Sequence, residues 1–225
     1  ATAVGIAVRA GADLPEGVAY SWEALSAVGF EGKAGQTHVL PSSSDGAVTV
    51  LVGVGESLGT AELRDAAAAF ANAVPSQARL AVIVGAVEGV ATAEIGQSVT
   101  EGVLLSRYRY DALKTQPSTT AVETLTLVID RGRSKSLQRG AERGVTTSNA
   151  TMLARDLANT PPSLLTAEVM AEIAVALGKE RGFGVEVFDR AALTEMGCGG
   201  LLGVNAGSTK EPRMIKLTFE PSGKA

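Results

Sequence analysis

The sequence predicts an α/β protein in two parts. Strand-length apolar runs alternate with stretches of helical periodicity, the apolar residues are mostly Ala, Val, Leu and Ile with only 4% aromatics, and Pro161-Pro162 separates one alternating pattern from another. At 225 residues, with 45% hydrophobic and 20% charged residues, the chain can bury a sizeable core, and its 26 glycines let layers approach closely. That mixture favours α/β layers over a β-sandwich.

Residues 2–9 are rich in Val, Ile and Ala and read as a buried strand ending at the turn Ala10-Gly11-Ala12-Asp13. Residues 22–30 give a short helical turn, and residues 31–45 read as a polar loop holding His38 and Ser42-Ser43-Ser44. Residues 46–54 are a second strand, followed by Gly55-Glu56-Ser57-Leu58-Gly59 and a helix over residues 60–73 with Leu63, Ala66, Ala67 and Phe70 on one face. A third strand covers residues 79–87, a helix residues 93–106, and a fourth strand residues 122–130 with Leu125, Leu127 and Ile129 facing one way. Leu137, Ala141, Val145, Met152, Leu153 and Leu157 then recur near helical spacing, predicting one long helix over residues 136–158 in which Gly140 and Gly144 bend it or allow close packing.

In the stretch 154–166, Arg155 and Asp156 are expected to close that helix, Asn159 and Thr160 to form a turn, and Pro161-Pro162 to stop the helical path. Thr166 is placed to cap the next helix, residues 166–177, whose Val169, Ile173 and Leu177 share a face. A short strand over residues 184–188, a helical turn capped by Asp189, a flexible glycine run over residues 197–203 and a last strand over residues 213–220 complete the pattern. Pro221-Ser222-Gly223-Lys224 reads as a hairpin turn with no second strand to follow, an unpaired edge that suggests a continuation.

Several function classes are weakened by what the chain carries. A net charge of −4 argues against general nucleic-acid binding, although Arg131, Arg133, Lys135, Arg139 and Arg143 form a local basic segment with Glu142 among them. The ordinary reading of such a run is a solvated helix face. His38 and Cys198 are the only histidine and cysteine, so the chain alone cannot build a Cys/His zinc site or an internal disulfide, and a reducing compartment follows. Nothing near Cys198 would lower its pKa, which favours packing over a reactive thiol. A Ser-His-Asp triad would need His38, with no nucleophile-elbow pattern to serve it.

Gly53-x-Gly55-x-x-x-Gly59 sits between strand and helix, where helix N–H groups could cradle a phosphate. Its spacing is one residue longer than the dinucleotide fingerprint and no acidic residue clearly ends the next strand, so it reads first as a tight β-to-α turn. Tyr108 and Tyr110 could edge a ligand but more ordinarily pack on the domain. No signal peptide is expected at the start of the chain, the initial Ala suggests a trimmed start, and the longest apolar run, residues 80–87, is strand-length and interrupted by Gly85, so no membrane span is expected.

The segment Ala-Arg-Asp-Leu-Ala-Asn-Thr-Pro-Pro, residues 154–162, resembles the opening of the catalytic domain in the leucyl aminopeptidase, or cytosol aminopeptidase, family. Gly197-Cys198-Gly199-Gly200-Leu201-Leu202-Gly203-Val204-Asn205-Ala206-Gly207-Ser208, followed by Glu211-Pro212-Arg213, resembles the next block in order. Upstream, Glu101-Gly102 through Tyr108-Arg109-Tyr110-Asp111 and Lys114 is similar to a segment near the end of the family's N-terminal domain.

The resemblance implies a macrodomain-like N-terminal α/β domain over residues 1–135, a linking helix over residues 136–160, and the start of an incomplete α/β peptidase domain over residues 161–225. It implies a cytoplasmic, hexameric enzyme that removes N-terminal residues, leucine among them, from peptides. Two divalent metal ions, manganese or zinc, would activate the attacking water. None of the family's metal-binding or catalytic positions maps onto residues 1–225, so this chain alone is expected to bind no catalytic metal and to be inactive. A second fragment could carry the remainder. The alternative is a non-catalytic module, binding a nucleotide-type ligand at loop 53–59 or DNA at segment 131–143, the latter because some family members also bind DNA.

Overall fold

The first sheet is centred on β1 (Ala3–Arg9), in a computed structural model that describes residues 1–15, 18–40, 46–116 and 120–221. Two units divide the chain, residues 1–155 and residues 156–225. In unit 1 the sheet order is β2-β3-β1-β4-β5, formed by β2 (Thr37–Leu40), β3 (Val48–Gly55), β4 (Arg79–Ile83) and β5 (Thr124–Val128) around β1. β1 pairs in parallel with β3 and β4, β4 in parallel with β5, and β2 runs antiparallel along the edge of β3. A strand covered on both faces needs a continuous apolar sequence rather than alternation. β3 meets that need, with Val50, Leu51, Val52, Gly53 and Val54 all buried.

Helices α2 (Thr60–Ala73) and α3 (Thr92–Ser106) pack with Leu137 of α4 (Ser134–Asn159) against one face of the sheet. Phe70 fills the space above Gly5, where an added Cβ would sit 2.9 Å from the ring. Fully burying such a side chain contributes roughly 1.5–3 kcal/mol. On the other face, the short α1 (Trp22–Ala27) brings Leu25 onto Val8, Leu40 and Leu51, with Phe30 beside them.

Glycine sets how closely α3 and α4 approach. A Cβ on Gly140 would lie 1.8 Å from the Ala93 carbonyl oxygen and one on Gly96 would lie 2.3 Å from that of Leu137, so each helix uses a glycine to admit the other's backbone. Of the two roles expected for Gly140, close packing is the one realised. Helix α4 follows a 3-10 turn over Arg131–Arg133 and runs past Arg155 and Asp156, which do not close it. Its end is fixed beyond them, where Thr160 donates from its amide, at 3.0 Å, and from its hydroxyl, at 2.6 Å, to the Asp156 carbonyl.

In unit 2, the Thr166 hydroxyl accepts from the Val169 amide at 3.3 Å and opens α5 (Ala167–Arg181), which ends at left-handed Gly182 with φ of 78°. Strands β6 (Gly184–Phe188) and β7 (Met214–Thr218) pair antiparallel, with Val185 opposite Leu217 and Val187 opposite Ile215. Between them lie α6 (Arg190–Glu195), capped by the Asp189 carboxylate, and α7 (Gly199–Asn205).

Three expectations are corrected here. The polar loop 31–45 contains a strand, β2, because Thr37, His38, Val39 and Leu40 can complete the edge of β3 even though their own sequence signal is short. The glycine run 197–203 is helical from Gly199 onward. The last strand is not unpaired, since β6 is its partner. Ser42-Ser43-Ser44 and the turn Ser222-Gly223-Lys224 lie outside the described residues.

Candidate functional site

The glycine loop after β3 is built for backbone packing. Gly53 faces the loop that precedes β2, and a Cβ there would sit 2.1 Å from the Lys33 carbonyl oxygen. Gly55, with φ of +72°, donates from its amide to the Gly32 carbonyl at 2.9 Å, and Gly59 donates to the Glu62 carboxylate at 2.9 Å. An anion at the start of α2 would have to displace that carboxylate. The expected tight turn is what this loop forms.

His38 lies half-buried on the edge strand β2, its ring centroid 6.2 Å from that of Phe30. Arg131, Lys135, Arg139 and Arg143 are exposed, and none of the four makes an ion pair with a described residue. Arg133 differs, pairing with Asp130 at 2.5 Å. Tyr108 packs on unit 1 beneath the Arg155 guanidinium, 5.4 Å from its centroid, while Arg155 donates to the Leu105 carbonyl at 3.0 Å.

Glu101 opens the upstream block that carries the family resemblance, and it is a buried carboxylate with three side-chain partners. Arg64 of α2 donates at 2.9 Å, Gln97 of α3 at 2.8 Å and Thr147 of α4 at 2.7 Å. Burial pushes its pKa up, but the hydrogen bonds from Gln97, Thr147 and Arg64 and the charge of Arg64 hold it below the usual carboxylate range. A charged Glu101 therefore ties three helices together. Arg107, in the same block, is buried and donates to five carbonyl oxygens, those of Ala71, Val74, Pro75, Gln77 and Thr120, at 2.7–3.1 Å. It satisfies the open carbonyl end of α2, the end where a cation is favoured. These two residues escape a sequence reading because Arg64, Thr147 and Thr120 are distant along the chain; the Gln97–Glu101 spacing of one helical turn is the sole local signal.

In unit 2, the block 197–213 is organised by Arg190, which donates to Glu211 at 2.8 Å and to Asn205 at 2.7 Å, while Asn205 donates to the Lys210 carbonyl at 3.0 Å. Cys198 is half-buried at the start of α7 and its side chain caps nothing. Among the described residues no group of three or more His, Cys, Asp or Glu side chains could hold a metal ion. No helix among them is long and apolar enough to cross a membrane.

The two halves match the two parts of one family model set. Residues 10–117 match the N-terminal domain of the cytosol aminopeptidase family, and residues 152–225 match its catalytic domain. A probable cytosol aminopeptidase of Streptomyces avermitilis is 34% identical over 215 residues, covering 88% of this chain and 41% of the relative. One of Chlorobaculum tepidum is 38% identical over 141 residues, covering 59% of this chain and 28% of the relative. The chain thus spans less than half the length of these relatives.

Among solved structures, the bottromycin maturation enzyme BotP in complex with Mn superposes with a TM-score of 0.83 at 30% identity, covering 98% of this chain and 45% of that one. A mutant of tomato leucine aminopeptidase gives the same TM-score at 20% identity, covering 99% and 48%, which shows the shared mixed α/β fold. With both domain models matched in order, on segments that hold the Glu101 seam and the Arg190 cluster, the chain belongs to the cytosol aminopeptidase family.

Proposed function

We propose that this chain is the N-terminal domain, the linking helix and the opening of the catalytic domain of a leucyl-type metalloaminopeptidase, divided at residues 1–135, 136–160 and 161–225. The observation that carries the reading is the ordered match of both family domains to the two halves of the chain. On this reading the parent protein is a cytoplasmic hexamer that removes N-terminal residues from peptides. Two divalent ions, manganese or zinc, bound by a part of the protein outside these residues, would activate the water. The Mn-bound relative supports a metal-dependent parent. Unit 2 supports an unfinished catalytic domain, because Val204 and Phe219 are 90% and 72% exposed.

The test is release of leucine from leucyl amide by a homogeneous sample of the chain, its intact mass verified, with manganese or zinc added. No turnover and no stoichiometric metal binding are expected. Turnover without a companion fragment in the mass spectrum would refute the division of labour. A second reading, a polyanion-binding face on α4 and the 3-10 turn before it, is favoured by the exposed Arg131, Lys135, Arg139 and Arg143, which lack ion pairs with described residues. It requires a salt-dependent shift of duplex DNA that Arg139→Ala weakens; binding insensitive to salt or to that substitution would remove it.

A further inference from the structure

Unit 1 holds a cavity of about 490 Å³ over the C-terminal ends of β1, β3 and β4. The place is a topological switch point: β3 lies on one side of β1, β4 on the other, and the chain crosses between them through α2. Open α/β sheets bind their ligands at such points. The volume lies in the usual range for small-molecule sites, roughly 300–1,000 Å³.

The chemistry of the lining narrows the ligand. Val54, Leu63, Ala67, Phe70, Val82 and Val99 are among the walls, and of all the lining residues only Arg9 and Glu88 carry polar side chains. A ribose buried in the hollow would find no hydroxyl, carboxamide or phenol side chain to pair with, and burying its hydroxyls unpaired is costly. At the start of α2 the Glu62 carboxylate takes the Gly59 amide and puts a negative charge there, which disfavours a second anion. An apolar body is what the walls accept.

The rim has a different character. The amides of Gly85, Ala86, Val87 and Glu88, four consecutive residues of the lining, donate to no described group, and the Arg9 side chain has no ion-pair partner among the described residues. Glu88 is exposed and can turn to water, whereas the amides belong to the backbone of the loop after β4. One negative group on the ligand would be matched there by Arg9 and by amide donors.

We propose that this cavity binds a small amphiphilic carboxylate, its aliphatic or aryl body in the hollow and its carboxylate at the rim beside Arg9 and the 85–88 amides. The site lies wholly in unit 1 and is independent of the peptidase reading.

Decanoate, titrated calorimetrically into the full chain below its micelle concentration, is the probe, with decanol as the uncharged counterpart. One saturable decanoate site per chain is expected. Ala7→Trp, which places an indole on an exposed lining position of β1, should abolish it. Arg9→Gln should weaken decanoate about tenfold and leave decanol unchanged. If Ala7→Trp fails to fold, Val87→Asp, at a half-buried lining position beside the 85–88 amides, should repel decanoate instead. Absence of saturable binding would overturn the proposal. So would binding that persists in whichever of these two variants folds, since the probe would then sit elsewhere, and so would displacement of decanoate by ADP-ribose, since the site would then read a nucleotide.

Discussion

At Gly140 in unit 1 an added Cβ would sit 1.8 Å from a backbone oxygen, whereas at Gly203 in unit 2 it would meet nothing within 4 Å. The contrast extends to the surroundings. Unit 1 buries a core that runs from Ala3 and Val50 through Phe70 and Leu80 to Val103 and Leu137. Unit 2, among its described residues, buries only Ala171 and Leu193 of its hydrophobic side chains and rests on a two-stranded sheet. Two strands alone are marginally stable in water. Glycine in unit 1 closes layers that already exist; in α7 it lies on a surface with nothing over it.

Substitutions can break that contrast in graded steps. Gly140→Leu should have the largest effect, because the Ala93 carbonyl is backbone and cannot yield; unit 1 is expected to lose about 3 kcal/mol or more, seen as a large drop in its denaturant midpoint. Arg107→Met comes next, at about 3 kcal/mol, since it removes the donor to the carbonyls of Ala71, Pro75, Gln77 and Thr120 and one of the two donors to that of Val74. A cost below about 1 kcal/mol would show that water replaces the guanidinium.

Glu101→Gln is expected to cost about 1–2 kcal/mol near neutral pH, by equilibrium unfolding of unit 1. The sign of its pH dependence follows from the lowered pKa. The folded state holds the charged carboxylate better than the unfolded chain does, so this stabilisation is complete above the ordinary glutamate pKa and is lost as pH falls through the lower folded value. The wild-type chain should therefore lose stability on acidification through that window more steeply than Glu101→Gln, and parallel profiles would contradict the role of the seam. Gly203→Ala gives the smallest effect and the opposite sign, a gain of roughly 0.5–1 kcal/mol in the helical stability of α7.

Much of this contrast is readable in the sequence of unit 1. The apolar runs of β1, β3 and β4, the Leu63–Phe70 face of α2 and the alternation of Leu125 and Leu127 report burial directly, because period and composition encode which sides are covered. Caps such as Thr166 and Asp189 are likewise local signals. β2 is hidden because four residues form an edge whose pairing is dictated by β3, not by their own propensity. α7 is hidden because Gly199, Gly200 and Gly203 carry the weakest helix propensity short of proline. The roles of Glu101 and Arg107 carry little local signal, because Arg64, Thr147 and Thr120 reach them only through the fold. The cavity over β1, β3 and β4 has no sequence signature, since its lining looks like core.

Amide hydrogen exchange on the whole chain tests the asymmetry between the two units most directly. Amides of β1, β3, β4 and α3 should exchange only on global opening of unit 1, while those of β6 and β7 should exchange orders of magnitude faster, through local opening. Equal protection in β3 and β7 would contradict the account and make unit 2 as self-sufficient as unit 1.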